Sequence, residues 1–184
     1  DVLVESRVRG RVPGALRVGV SGGGPVPPSL KRSWRDELRL PLAESYGQSE
    51  LGGFVGLGAP VLQDDTTIDA VGRPLPDKEV RVLDDDDVEV PVGQTGQLCI
   101  RGGFMIGYWN RSEKTAETTK NGWLHTGDVG SMDADGYVRL RGRLAERIVV
   151  RDVIWYPRDI EEAMLLHPAV RQCALVGVPD AERG

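Results

Sequence analysis

The residues whose types and spacing first admit chemistry are Thr126-Gly127-Asp128 and, beyond a short hairpin, Gly142-Arg143. A glycine beside a short carboxylate lets backbone approach a ligand while Asp128 accepts hydrogen bonds from it. Across the hairpin, Arg143 offers a planar guanidinium whose donors suit a phosphate. A carboxylate for a sugar diol and a guanidinium for a phosphate together suit a nucleotide. Two further stretches add to the set. SGGGP puts Gly23, Gly24 and Pro25 where bare backbone can lie against a planar base, a plain turn being the simpler reading. YGQSE supplies a flat face in Tyr46, an amide in Gln48, a hydroxyl in Ser49, and in Glu50 a carboxylate suited to a magnesium ion among phosphates.

Other chemistries are weaker. GVSGG, at residues 19–23, matches the G-x-S-x-G nucleophile elbow, and the order Ser21, a later Asp, then His167 suits a hydrolase triad. Against it stand Pro25, Pro27 and Pro28, which would remove the hydrogen bonds of the helix an elbow requires. A serine hydrolase built on Ser21 is the enzyme-class alternative. A catalytically incomplete nucleotide-binding module is the non-enzyme one. No G-x-x-x-x-G-K-[ST] loop is present. A calcium loop with Gly136 at its sixth position would put Gly142 where the bidentate Glu belongs, so that reading fails. The run Asp84-Asp85-Asp86-Asp87 reads as a solvated turn. His125 and His167 read as structural, and Cys99 and Cys173 as buried reduced thiols rather than a disulfide or zinc site.

The elements that must position these groups follow from the pattern. Residues 16–20 (LRVGV) read as a buried strand broken by the glycines and prolines of 21–28. Pro28 suits a first helical turn, and Leu30, Trp34 and Leu38 give the helix an apolar stripe. Residues 40–44 predict a second strand ending at a polar loop, 45–53. Strand, helix, strand with a right-handed crossover is the unit of a parallel sheet, where ligands bind at the strands' C-terminal ends. From Val61 the pattern turns to short alternating strands, notably 79–83 and 97–101, with Asp135-Gly136 as a hairpin turn between 129–132 and 137–140. This predicts a small β-barrel or sandwich. Beyond Arg143, strands at 147–150 and 153–156 precede a helix opened by Pro157. Its apolar face is Ile160, Ala163, Met164 and Leu166, it ends at His167-Pro168, and 171–178 read as a closing strand.

Bulk properties bound the function. The 184 residues are 40% hydrophobic and 28% charged, ordinary for a soluble globular protein. A net charge of −5 argues against a nucleic-acid partner held by bulk positive charge. No apolar run is long enough for a membrane span and no signal peptide is visible, so the default localisation is cytoplasmic. The chain begins at Asp1 and ends just after PDAERG, and it reads as a segment of something longer.

Four blocks in this order, SGGGP, YGQSE, HTGD and GR followed by YPRDIEE, resemble the adenylate-forming superfamily of acyl- and aryl-CoA synthetases, luciferases and peptide-synthetase adenylation domains. VGRPLP, QLCIRG and MIGYWN fall between them where that family has similar stretches. The resemblance implies an α/β fold: the back half of the large adenylating domain (a parallel βαβ sheet plus a small β-barrel), then the start of a small α+β C-terminal domain. The implied boundaries are a sheet subdomain at 1–60, a β-rich subdomain at 61–141, a hinge at 142–146, and an incomplete C-terminal domain at 147–184.

The resemblance also implies that a small carboxylic acid reacts with ATP to give an acyl adenylate and pyrophosphate. The acyl group then usually passes to a thiol, that of CoA or of carrier-protein pantetheine. By position, Gly23, Gly24 and Pro25 would border the adenine, and Tyr46 would pack on it with Gln48 nearby. Glu44, Ser45 and Gly47 complete that nucleotide-binding stretch. Ser49 would bond the α-phosphate, Glu50 would bind Mg²⁺, Asp128 would hold the ribose hydroxyls, and Arg143 would reach ribose or phosphate. The family's phosphate loop and catalytic lysine find no match here, so these residues alone are expected not to form acyl adenylate. The glycines among residues 46–53 read as room for the acid. Ala145 stands where the family has Lys or Asp, and Asp152 where it commonly has Gly. A carboxylate beside a phosphate-bearing acceptor should disfavour thiol transfer.

Overall fold

Residues 15–58 and 61–180 are described in a computed structural model of the chain. The first strand, β1 (Gly19–Gly22), begins later than the apolar run predicts and takes in glycines expected to break it. Pairing rather than hydrophobicity sets its limits: its parallel ladder with β2 (Leu42–Gln48) runs from Gly19↔Leu42 to Gly22↔Ser45. Between them lies α1 (Pro28–Ser33), with proline in its first turn where the missing N–H costs nothing. It passes into a π-helical turn, Trp34–Leu38, closed by Arg39 at φ 55°. The predicted stripe is buried as expected, Trp34 packing with Val26 and Leu42, and Leu30 and Leu38 against them.

The polar loop expected after residue 44 is mostly strand. β2 continues through Tyr46, Gly47 and Gln48 because β3 (Gly53–Leu57) folds back antiparallel over a tight turn, Ser49–Leu51, and supplies ladder partners. Gly47 is required by that closeness, since a Cβ there would collide with the carbonyl of Gly53. Of the three local glycines read as room for an acid, Gly47 therefore serves the strand pairing, whereas a Cβ at Gly53 would meet nothing. With β4 (Arg73–Pro74) the first sheet has the order β1-β2-β3-β4.

The second sheet is antiparallel: β5 (Glu79–Leu83), β6 (Gly96–Arg101), then α2 (Ser112–Thr118), β7 (Thr119–Lys120), β8 (Trp123–Met132) and β9 (Val138–Arg143). Its order is β5-β6-β8-β7, and the long β8 pairs β7 near its start and β9 from Asp128 onward. The sheet curls into a half-barrel. The predicted Asp135-Gly136 turn is present, with the Asp133 carboxylate accepting from the N–H groups of Asp135 and Tyr137.

One apolar core joins the sheets. Tyr46, Leu51 and Val55 from the first pack with Val82, Leu98, Ile100, Leu124 and Val138 from the second. Leu98, Ile100 and Leu124 are fully buried, each contributing roughly 1.5–3 kcal/mol against about 0–1 kcal/mol for a surface ion pair. The core therefore fixes how the two sheets meet, and that junction brings β2 to β8.

After a 3₁₀ turn, Leu144–Glu146, come β10 (Ile148–Val150), β11 (Val153–Trp155) and α3 (Pro157–Leu165). The predicted apolar face of α3 stays largely open, Met164 being 45% and Leu166 76% exposed, because a two-stranded hairpin offers it no apolar layer. The closing strand expected at 171–178 is not formed. The Leu175 N–H goes to the Glu161 carboxylate rather than to a ladder, and half-buried Cys173 donates to the Glu161 carbonyl. The expected PDAERG turn extends into residues outside those described. Among the described residues no helix is long and apolar enough to cross a membrane.

Candidate active site

Thr126, Gly127 and Asp128 lie where β8 departs from regular pairing with β6: Cys99 faces His125 and Gln97 faces Val129, so three residues oppose one. Gly127 absorbs the excess at φ 70°, a left-handed conformation that other residues adopt at a cost. Such a bulge re-aims a side chain. The Thr126 hydroxyl locks it, donating to the Leu98 carbonyl at 2.7 Å and accepting from the Asp128 N–H at 3.0 Å.

Three donors converge on the buried Asp128 carboxylate. Oδ2 accepts from the Tyr46 hydroxyl at 2.7 Å and from the Gln48 amide at 2.6 Å. Oδ1 pairs with Arg143 Nε at 2.8 Å, and Arg143 is itself 53% exposed. Arg143 faces Asp128 directly across the β8–β9 ladder. Burial raises the Tyr46 phenol well above its usual range, and the Asp128 carboxylate adds to the effect, so Tyr46 is a donor at any ordinary pH. Tyr46 thus has a partner that its reading as an adenine-packing ring did not anticipate.

A cleft of about 1000 Å³ opens here, lined by Gly23, Gly24, Pro25, Glu44, Ser45, Tyr46, Gly47, Asp128 and Arg143. Nine residues singled out in the sequence thus line one cleft. Gln48 joins them through Asp128. Ser49 and Glu50 do not line the cleft; they occupy the turn after β2, Ser49 exposed and Glu50 half-buried. The Glu50 carboxylate accepts from the Tyr108 hydroxyl at 2.9 Å.

Glu44 is buried, with Oε2 2.6 Å from the ammonium of equally buried Lys31 and Oε1 accepting from the Val26 N–H at 3.3 Å. Lys31 also donates to the Ala70 carbonyl at 2.9 Å. This pair ties α1, β2 and the glycine loop together beside the cleft. The same cleft is also lined by Ala145, Arg147, Arg158, Glu161 and Glu162. Sequence reasoning missed Lys31 and Tyr108. A lysine one residue beyond Leu30 of an apolar stripe was the available signal for Lys31. Tyr108 lay unexamined inside MIGYWN.

The competing sites lack their geometry. Ser21 lies within the β1 ladder opposite Glu44, its carbonyl accepting from Ser45 Oγ at 3.3 Å, and it has no positive φ of the kind a strained elbow would use. Cys99 and Asp87 both approach the same nitrogen of His125, Nδ1, at 3.4 and 3.6 Å, which is not the relay a triad needs. Burial, helped by Asp87, pushes the Cys99 thiol up to about 12, so it is inert. In the aspartate-rich turn, Asp84 accepts from the N–H groups of Asp86 and Val88, a local turn bond.

The chain is similar to known ligases and synthetases over most of its length. The profile of the AMP-binding enzyme family matches residues 2–109. The chain is 39% identical over 171 residues to a long-chain-fatty-acid–CoA ligase of Escherichia coli, covering 92% of this chain and 30% of that protein. It is 36% identical to the fatty acid–[acyl-carrier-protein] ligase ScoC of Streptomyces coeruleorubidus, covering 92% of this chain and 33% of that protein. Among solved structures, the amide bond synthetase McbA from Marinactinospora thermotolerans superposes with a TM-score of 0.90 at 38% identity, over 99% of this chain and 38% of that one. The o-succinylbenzoate CoA synthetase from Bacillus subtilis, in complex with the acyl-adenylate intermediate OSB-AMP, gives 0.86 at 28% identity, over 94% and 35%. The chain spans about a third of the length of these relatives.

Proposed function

The chain belongs to the AMP-binding enzyme family, and on that premise we propose that the protein carrying it activates a carboxylic acid with ATP and passes the acyl group to a thiol. The observation that supports this best is the Asp128 carboxylate, held by Tyr46 and Gln48 and paired with Arg143 beside the bare backbone of Gly23 and Gly24. A nucleoside fits that arrangement, with base toward the glycine loop, ribose toward Asp128 and phosphates toward Arg143.

In the first step a carboxylate oxygen of the acid attacks the α-phosphorus, and the bond to the β-phosphate oxygen breaks, pyrophosphate leaving with the electron pair. In the second a thiolate attacks the acyl carbon and AMP leaves. Tyr46 and Gln48 fix the acceptor that orients the ribose, and Ser49 donates to the α-phosphate. Arg143 exchanges its Asp128 contact for the ribose or phosphate, adding positive charge where negative charge develops. Among the described residues no cluster of three or more His, Cys, Asp or Glu side chains could hold a metal. One carboxylate is nonetheless what a magnesium ion arriving with phosphates requires, and Glu50 fits that role. Bound there, Mg²⁺ would neutralise phosphate charge during the displacement.

The experiment is acid-dependent exchange of labelled pyrophosphate into ATP, run on the full-length protein carrying these residues and on the 184-residue chain. Exchange is expected from the former and not from the latter. Absence of exchange from the full-length protein across aliphatic and aromatic acids would refute the reading.

A further inference from the structure

Glu50 is anchored from outside its own turn. Its carbonyl accepts from the Met105 N–H at 2.7 Å, and its carboxylate Oε1 accepts from the Tyr108 hydroxyl at 2.9 Å. The next carbonyl, that of Leu51, accepts from Lys78 Nζ at 3.1 Å, and the same ammonium donates to the carbonyls of Gly102 and Gly103 at 2.5 and 2.7 Å. All three ammonium protons are thereby used, on a side chain only 6% exposed. Lys78, Met105 and Tyr108 therefore clamp the 49–51 turn to the 102–108 loop.

Tyr108 is fixed in its turn. Its N–H donates to Thr115 Oγ1 at 2.9 Å, and that hydroxyl donates to the Arg111 carbonyl at 2.9 Å. Its hydroxyl is the side-chain donor on Glu50, and it engages one carboxylate oxygen. Ile106 and Trp109, which flank Gly107-Tyr108, are almost wholly exposed, whereas Phe104 and Met105 pack against the shared core, so apolar packing at its start and these polar ties at Tyr108 hold the loop.

We propose that Tyr108 is a positioning residue for the divalent cation: its hydroxyl holds one oxygen of the Glu50 carboxylate and so orients the other toward the ion. This rests on the reading that Glu50 is the metal ligand. Outer partners of this kind typically change metal affinity about 10- to 100-fold when removed. Tyr108→Phe deletes the hydroxyl and keeps the ring.

The test uses the full-length protein with Mn²⁺ as probe, free Mn²⁺ being read by electron paramagnetic resonance in the presence of a saturating non-hydrolysable ATP analogue. Tyr108→Phe is expected to raise the Mn²⁺ dissociation constant about tenfold, while analogue affinity in EDTA stays at the unsubstituted value. Activity lost at low Mg²⁺ should return at high Mg²⁺. Glu50→Gln, measured alongside, separates the two levels of the argument. If it weakens Mn²⁺ binding and Tyr108→Phe does not, the positioning role is overturned and the ligand role stands. If Glu50→Gln leaves Mn²⁺ binding intact, the ligand role falls and the proposal with it. Should Tyr108→Phe fail to fold, Thr115→Val, which removes the acceptor for the Tyr108 N–H, must weaken Mn²⁺ binding in the same assay; no change there also overturns the proposal.

Discussion

Asp128→Asn isolates the group on which the nucleotide reading depends. The three groups facing the carboxylate are all donors: the Tyr46 hydroxyl, the Gln48 amide and Arg143 Nε. Asparagine has one acceptor oxygen, so one donor must then face an NH₂ group. Tyr46 is buried at 7% exposure, whereas Arg143 at 53% can turn to water. The amide oxygen therefore stays with Tyr46 and Gln48, and the amide nitrogen takes the place of Oδ1. Losing a half-exposed ion pair costs the fold about 0–1 kcal/mol. Exchanging a charged for a neutral acceptor at Oδ2 costs about 1 kcal/mol more.

The cost to ligand is larger. A ribose hydroxyl deprived of a charged acceptor loses roughly 1.5–3 kcal/mol, or about 10- to 150-fold in affinity. The variant should thus stay folded while KM for ATP in pyrophosphate exchange rises by about that factor. The sharper assay compares ATP with its 2′-deoxy and 3′-deoxy analogues. The unsubstituted enzyme should prefer ATP over at least one of them, and Asp128→Asn should lose most of that preference, because the discriminating acceptor is gone. Equal discrimination by both proteins would mean that the ribose lies elsewhere and that Asp128 serves only to hold Arg143 and Tyr46.

Other perturbations test separate parts of the structure. Burial lowers the His125 pKa, Asp87 opposing and Lys120 adding to the effect, with the Cys99 thiol as its other neighbour. The folded state thus resists protonation, so this contribution is full above the unfolded pKa of about 6.5 and is lost as pH falls from there through the lower folded pKa. Thermal midpoints between pH 7.5 and 5.5 should fall more steeply in the unsubstituted protein than in His125→Gln; equal slopes would contradict the assignment. Peptide mapping after native alkylation at pH 8 should find Cys173 modified and Cys99 intact until denaturant is added, as expected for a fully buried thiol pushed up to about 12. Arg151 and Asp152 form the β10–β11 turn at φ 47° and 66°, both left-handed. Asp152→Gly should relieve roughly 1 kcal/mol of strain and raise the midpoint by about 2–4 °C. If the carboxylate also impedes a phosphate-bearing acceptor, the same variant should speed thioester formation without changing adenylation; unchanged thioester rates would leave Asp152 a turn residue only.

Much of this site was legible because its chemistry is carried by short runs of unusual residues. HTGD and SGGGP announce close backbone approach and a carboxylate, and the βαβ pattern places the glycine loop at a strand's C-terminal end. What the sequence hid was partnership across distance. Tyr46 reads as a flat face until the shared core brings β2 to β8, 82 residues away, and gives its hydroxyl to Asp128. Periodicity also cannot see a ladder partner, so residues 45–48, polar apart from Gly47, read as loop although β3 pairs with them. Nor can it say that Gly47 exists for β3 rather than for a substrate.

The same distinction bears on what the site requires to work. Asp128 enters the cleft with two donors on Oδ2, from Tyr46 and Gln48, and one on Oδ1, from Arg143, so the acceptor capacity still open lies on Oδ1 beside Arg143. Tyr46 and Gln48 belong to a ladder strand, and Tyr46 to the common core, so both are costly to move. Arg143 is the exposed one, and it ends β9 just before the 144–146 turn. The most exposed contact on Asp128 is thus also the one beside the 144–146 turn. If the proposed nucleotide draws Arg143 from Asp128, its binding and the placement of the segment beyond residue 146 would be coupled through Arg143.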